Sequence, residues 1–87
     1  MKINRVSFSL KGLADYQYWQ GQDRKTLKVL NKLIDDIIRH PFTGIGKPEP
    51  LKYSMDNYWL RRINKSDRIV YAVSRDSIII IQCRFHY

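Results

Sequence analysis

The chain has 87 residues, one cysteine, 44% hydrophobic and 13% aromatic residues, and 16 basic against 8 acidic side chains, a formal charge of +8. That length and composition fit one small domain with one modest core and exclude a disordered tail, a collagen-like repeat or a low-complexity linker. No apolar run approaches the roughly 20 residues of a membrane span, and residues 1–12 carry no apolar signal-peptide region, so a cytoplasmic protein with no membrane role is expected. Cys83 alone can form neither an intrachain disulfide nor a zinc cluster. The charge is spread: residues 1–44 and residues 45–87 each hold eight basic and four acidic residues. This predicts a folded basic domain that meets a polyanion, with nucleic acid the leading class, and not a basic tail.

Residues 2–8 predict a first strand. Ser9 caps a helix over 10–21, with Leu10, Leu13, Ala14 and Tyr16 as its inward stripe and Gly21 at its end. Asp23 caps a second helix over 24–40, where Leu27, Leu30, Leu33, Ile34, Ile37 and Ile38 keep helical spacing until Pro41 stops it. Residues 41–50, PFTGIGKPEP, predict a loop, and Leu51–Tyr53 a short strand. Three strands follow, over 58–63, 68–73 and 78–84, separated by Asn64–Asp67 and Ser74–Ser77 turns. The most apolar, 78–84, suits a central position. The expected architecture is α+β: a strand, a helical hairpin, then an antiparallel meander with both helices on one face of the sheet.

Metal chemistry finds little support. His40 and His86 have no Cys or carboxylate at ligand spacing, and Cys83 reads as a buried thiol. Gly44-x-Gly46 is too little for a phosphate loop. Three other groups carry more. Glu49, the only glutamate, is braced between Pro48 and Pro50 and flanked by Lys47 and Lys52; the prolines hold its backbone extended. Its alternatives are a surface ion pair and a positioned general base. Arg61 and Arg62 point to opposite faces of their strand and Arg68 opens the next; such guanidinium groups are either solvated or a phosphate clamp. The last residues, Cys83-Arg84-Phe85-His86-Tyr87, either plug the sheet or supply an acid and stacking rings. Together a carboxylate, a guanidinium and an imidazole suit RNA cleavage by its own 2′-hydroxyl, without a metal or other cofactor.

The segments Asp15-Tyr16-Gln17-Tyr18-Trp19, Gly44-Ile45-Gly46-Lys47-Pro48-Glu49-Pro50-Leu51-Lys52, Arg61-Arg62-Ile63, Arg68–Val73 and Cys83–Tyr87 resemble the YoeB toxins. These are ribosome-dependent mRNA endonucleases of the RelE superfamily, from bacterial toxin–antitoxin modules. The likeness runs nearly end to end. It implies a RelE-like, microbial-RNase-like α+β fold, with the general base on Glu49, the phosphate-stabilising arginine on Arg68 and the general acid on His86. Lys52, Arg62 and Tyr87 fall on positions that hold RNA or support the site, and Lys47, Arg61 and Phe85 join them as supporting residues. It further implies cleavage of mRNA in the ribosomal A site, a homodimer, and a YefM-like antitoxin whose C-terminal segment wraps the toxin. Phe85 stands where a tyrosine is common. Two other readings stay open: a RelE-like toxin that binds a protein such as gyrase, and a basic RNA-binding module without catalysis.

Overall fold

Strand, cap and helix signals at the start of the chain fold as their chemistry directs. The computed structural model describes residues 2–52 and 57–85. Strand β1 spans Arg5–Phe8 and helix α1 Leu10–Gln22. The Ser9 hydroxyl caps α1 by accepting from the Gly12 N–H at 2.9 Å. Helix α2 spans Arg24–Arg39. Asp23 caps it, accepting from the Thr26 N–H at 3.0 Å and from the Thr26 hydroxyl at 2.7 Å. Those hydrogen bonds hold the Asp23 carboxyl below its ordinary range. Of the apolar positions expected along α2, Leu30, Leu33 and Ile37 are buried, and Leu27, Ile34 and Ile38 pack beside them.

Four strands follow: β2 at Glu49–Pro50, β3 at Tyr58–Arg62, β4 at Arg68–Ser74 and β5 at Ser77–Gln82. With β1 they form one sheet in the order β1-β5-β4-β3-β2. The meander β3-β4-β5 is antiparallel as expected, but β1 pairs parallel to β5, Arg5 opposite Ser77 through Phe8 opposite Ile80. The sheet is therefore mixed, and β5 sits between β1 and β4. The middle strand is β4, whose residues Ile69–Val73 are all buried. The expected strand over Leu51–Tyr53 is replaced by β2 two residues earlier; Leu51 only donates its N–H to the Tyr58 carbonyl, and Tyr53 lies outside the described residues.

The inward face of α1 differs from the expected one. Leu10 and Leu13 are exposed, as is Ala14, and the buried positions are Gly12, Asp15 and Trp19, with Tyr16 half-buried. The reason is how closely the helix approaches the sheet. A Cβ on Gly12 would stand 2.4 Å from the Ile80 carbonyl oxygen, so only glycine fits there. Close approach also lets α1 serve exposed strand backbone: the Ser9 hydroxyl donates to the Ile81 carbonyl at 2.6 Å. Ile81 is the extra residue of a bulge, because Val70 opposes Gln82 while Tyr71 opposes Ile80. The helices cover the face bearing Ile69, Tyr71, Val73, Ile78 and Ile80, which form the core with Leu30, Leu33 and Ile37. The other face of the sheet, bearing Leu60, Arg62, Arg68 and Val70, carries no helix among the described residues.

Candidate active site

Strand register fixes which side chains share the helix-free face. Directly opposed residues of an antiparallel pair project to the same side. Glu49 opposes Leu60, and Leu60 opposes Val70, so Glu49 stands at one end of a row crossing β2, β3 and β4. One row on, Arg62 opposes Arg68. Glu49 and Arg68 thus share a face, about 12 Å apart across two strand spacings and one row, a gap that an extended glutamate and arginine can close around one phosphodiester. Glu49 is exposed, at the sheet edge, held by the β2–β3 ladder in the extended conformation its flanking prolines demand.

Lys47, just before Pro48, has a positive φ of 53°, and both Lys47 and Lys52 are exposed. Arg62 is exposed. Arg68 is half-buried, and its Nη1 donates to the Asn64 and Asp67 carbonyls of the β3–β4 turn at 2.7 and 3.0 Å. Its remaining guanidinium nitrogens make no hydrogen bond among the described residues, whose bonds brace the fork through Nη1 alone.

Arg61 departs from its expected part as an RNA contact. It is fully buried on the helix side of β3, and all five of its N–H donors are committed. Nε donates to the Tyr71 hydroxyl at 3.1 Å. Nη1 donates to Asp36 at 2.6 Å and to the Ile45 carbonyl at 3.1 Å. Nη2 donates to the carbonyls of His40 and Thr43. The Tyr71 hydroxyl in turn donates to the Pro41 carbonyl at 2.7 Å. The segment 40–45 is therefore wound around one guanidinium, which satisfies carbonyls that would otherwise be stranded. Alternation carries the signal that could have revealed this: Arg61 shares the parity of Ile63, a core residue, and of Trp59, which packs against the core.

Gly44 belongs to the same arrangement. Its φ is +119°, and a Cβ there would stand 2.0 Å from the Asp36 carboxylate. The two glycines of this loop thus serve a tight wrap and not a phosphate. Burial pushes the Asp36 carboxyl up, but hydrogen bonds from Arg61 and the Ile45 N–H, with the Arg61 charge, hold it below its ordinary range. Burial raises the Tyr71 phenol, with the Arg61 hydrogen bond opposing. From this wrap the chain leads to Glu49, tied to β3 on the way where the Arg62 N–H donates to the Gly46 carbonyl at 2.7 Å.

His86 and Tyr87 lie outside the described residues. The residue before them is well anchored. The Phe85 N–H donates to the Asp67 carboxylate at 2.7 Å, and its carbonyl accepts from the Arg68 N–H at 3.0 Å. The Phe85 ring is half-exposed and lies under the Arg84 guanidinium, 4.4 Å from its centroid. Cys83 is buried, and its thiol is pushed up to about 12, first by burial and then by the Asp15 carboxylate. It is inert as a nucleophile. Among the described residues no group of three or more His, Cys, Asp or Glu side chains could hold a metal ion, and no helix is long and apolar enough to cross a membrane.

Residues 8–87 match the model of a family described as the YoeB-like toxin of bacterial type II toxin–antitoxin systems. Toxin YoeB of Escherichia coli K12 is 52% identical over 83 residues, covering 95% of this chain and 99% of that protein. Among solved structures, a YoeB/ParE toxin from Agrobacterium tumefaciens superposes with a TM-score of 0.90 at 45% identity, over the whole of both chains. The YoeB dimer from Staphylococcus aureus does so with 0.89 at 41% identity, and a heterotetrameric YoeB–YefM toxin–antitoxin complex from the same organism with 0.86 at 41%, again over the whole of both chains.

Proposed function

This chain belongs to the YoeB-like toxins of bacterial type II toxin–antitoxin systems, and from that premise we propose that it is a ribosome-dependent mRNA endoribonuclease acting in the cytoplasm, with residues 1–87 as one toxin domain. Glu49 takes the proton of a 2′-hydroxyl, whose oxygen attacks the adjacent phosphorus. Arg68 neutralises the charge that gathers on the pentacoordinate phosphate. His86 gives a proton to the departing 5′-oxygen, leaving a 2′,3′-cyclic phosphate and a 5′-hydroxyl. Lys47, Lys52 and Arg62 hold the RNA backbone, and Phe85 and Tyr87 flank the acid. No step asks for a metal.

The observation that carries the reading is the common sheet face of Glu49 and Arg68, with the chain leading to His86 hydrogen-bonded to Arg68 itself. Arg61 has no place among the RNA contacts, since none of its donors is free. For partners, the Staphylococcus aureus relatives form a dimer and a complex with YefM. We extend both to this chain: a homodimer, neutralised by a YefM-like antitoxin whose C-terminal segment lies over the toxin, and for substrate the ribosome with its A-site mRNA.

The test is cleavage of mRNA on programmed ribosomes. Glu49→Gln, Arg68→Ala and His86→Ala, each still folded, should lower the rate by about 10²–10⁴. Wild-type rates in all three would overturn these residues as the cleavage site, and mRNA left intact by the unmodified protein would point instead to a toxin that binds a protein target.

A further inference from the structure

Strand β5 ends at Gln82, and the next residue loses its place in the ladder. Both backbone groups of Cys83 then need partners away from the sheet. They find them on α1: the Cys83 N–H donates to the Asp15 carboxylate at 3.1 Å, and the Cys83 carbonyl accepts from the Trp19 indole N–H at 2.8 Å. Asp15 and Trp19 are each 6% exposed, and Lys11 holds the Asp15 carboxylate from the solvent side at 3.1 Å. From the same helix, the Tyr18 ring lies 3.3 Å under the Arg84 guanidinium. Phe85 is then fixed from the opposite side by Asp67 and the Arg68 N–H, with a positive φ of 70° that a bulky residue adopts only when its surroundings impose it. Residues 83–85 therefore bridge α1 and the β3–β4 turn, and their path is decided at both ends.

A polar grip is not what core stability alone would select for the inner face of a helix, and two side chains here are committed to the backbone of one residue. We propose that Asp15 and Trp19 are positioning residues of the nuclease: they set where the chain leaves β5, and so deliver His86 to the face that carries Glu49 and Arg68. The proposal rests on the nuclease reading given above. Asp15 and Trp19 touch no substrate; they act only through the segment that ends in the acid.

The experiment is a set of double-mutant cycles on single-turnover cleavage of mRNA in programmed ribosomes. Trp19→Phe removes the indole N–H and keeps a large ring. Asp15→Asn keeps an oxygen for the Cys83 N–H, and Asp15→Ala keeps none. We expect Trp19→Phe and Asp15→Ala to lower kcat by about 10–100-fold, the scale of a small misplacement of a reacting group. KM should stay near the wild-type value, and Asp15→Asn should recover most of the rate. In a His86→Ala background the same substitutions should have almost no further effect, because the group they position is gone.

Wild-type kcat in Trp19→Phe and Asp15→Ala would overturn the proposal. So would equal fractional losses with and without His86, or loss of the native fold in these variants, since the contact would then serve stability alone. The failures are distinguishable: an unmodified protein that leaves mRNA intact sinks the nuclease reading and this proposal with it, whereas a His86→Ala variant that cuts at full rate removes His86 as the acid and this proposal alone.

Discussion

Two adjacent arginines show how far one residue's surroundings decide its work. Arg61 is buried with five committed donors and Arg62 is exposed beside Arg68. Removing one partner of a buried, hydrogen-bonded pair typically costs about 3–5 kcal/mol, because the other polar groups are left stranded. Arg61→Ala should therefore lower unfolding free energy by about that amount in chemical denaturation, with Asp36 part-exposed and placing the loss at the lower end. Arg62→Ala should stay within about 0.5 kcal/mol of wild type, as exposed substitutions do, and should show its effect in RNA affinity.

Asp36 adds a pH dependence with a definite sign. Its folded carboxyl titrates below the ordinary value of 3.8. The unfolded state binds the proton more readily, so the stabilisation is complete above that value and is lost as pH falls through the lower folded one. Asp36→Asn should flatten the acid limb of the stability–pH curve, and denaturation at acid and neutral pH would measure it.

At the level of elements, α2 and the turns were readable because their signals are local: a cap, a 3.6-residue period and a stopping proline lie within one stretch of sequence. The extended backbone at Glu49 was readable for the same reason, since two prolines dictate it, but its pairing with β3 was not. What was not readable depended on distant chain. The parallel pairing of β1 with β5 leaves no mark on either strand. The inner face of α1 escaped because Gly12 and Asp15 are not apolar, and Leu10 and Leu13 offered a more hydrophobic face that the helix turns outward. Arg61 was legible by parity alone; its partners come from α2 and the 40–45 loop.

The close seating of α1 makes a prediction of its own. A methyl group at position 12 would meet the Ile80 carbonyl at 2.4 Å, and that neighbour is backbone and cannot swing away. Gly12→Ala gains helix propensity but should still destabilise by about 1–3 kcal/mol, the usual cost of overpacking. For a chain of this size each kcal/mol lowers the unfolding midpoint by roughly 4–8 °C, which calorimetry resolves.

For the molecule as a whole, the +8 charge falls on both sides of the sheet. Lys47, Lys52 and Arg62 are exposed around the helix-free face, while Lys25, Lys28, Lys32 and Arg39 are exposed along α2 on the other side. A polyanion that surrounds the protein suits this distribution better than a single strand lying on one face. Ribosome binding should then be steeply salt-dependent. If about six phosphates are neutralised, affinity falls roughly 10³-fold between about 50 and 200 mM salt. A flat dependence in a filter-binding or sedimentation assay would remove charge as the source of affinity.

Strand β1 pairs parallel to β5, joining residues 72 positions apart, from Arg5 to Ser77. A contact that spans so much sequence carries a high loop-closure cost, and folding that depends on it is slow for so small a chain. During synthesis the sheet stays open until its last strand emerges, and the carbonyl that anchors α1, that of Ile80, emerges with it. Maturation is therefore late: a nascent toxin lacks its working surface until β5 has joined the sheet, which leaves an interval in which a partner can meet it before it is armed.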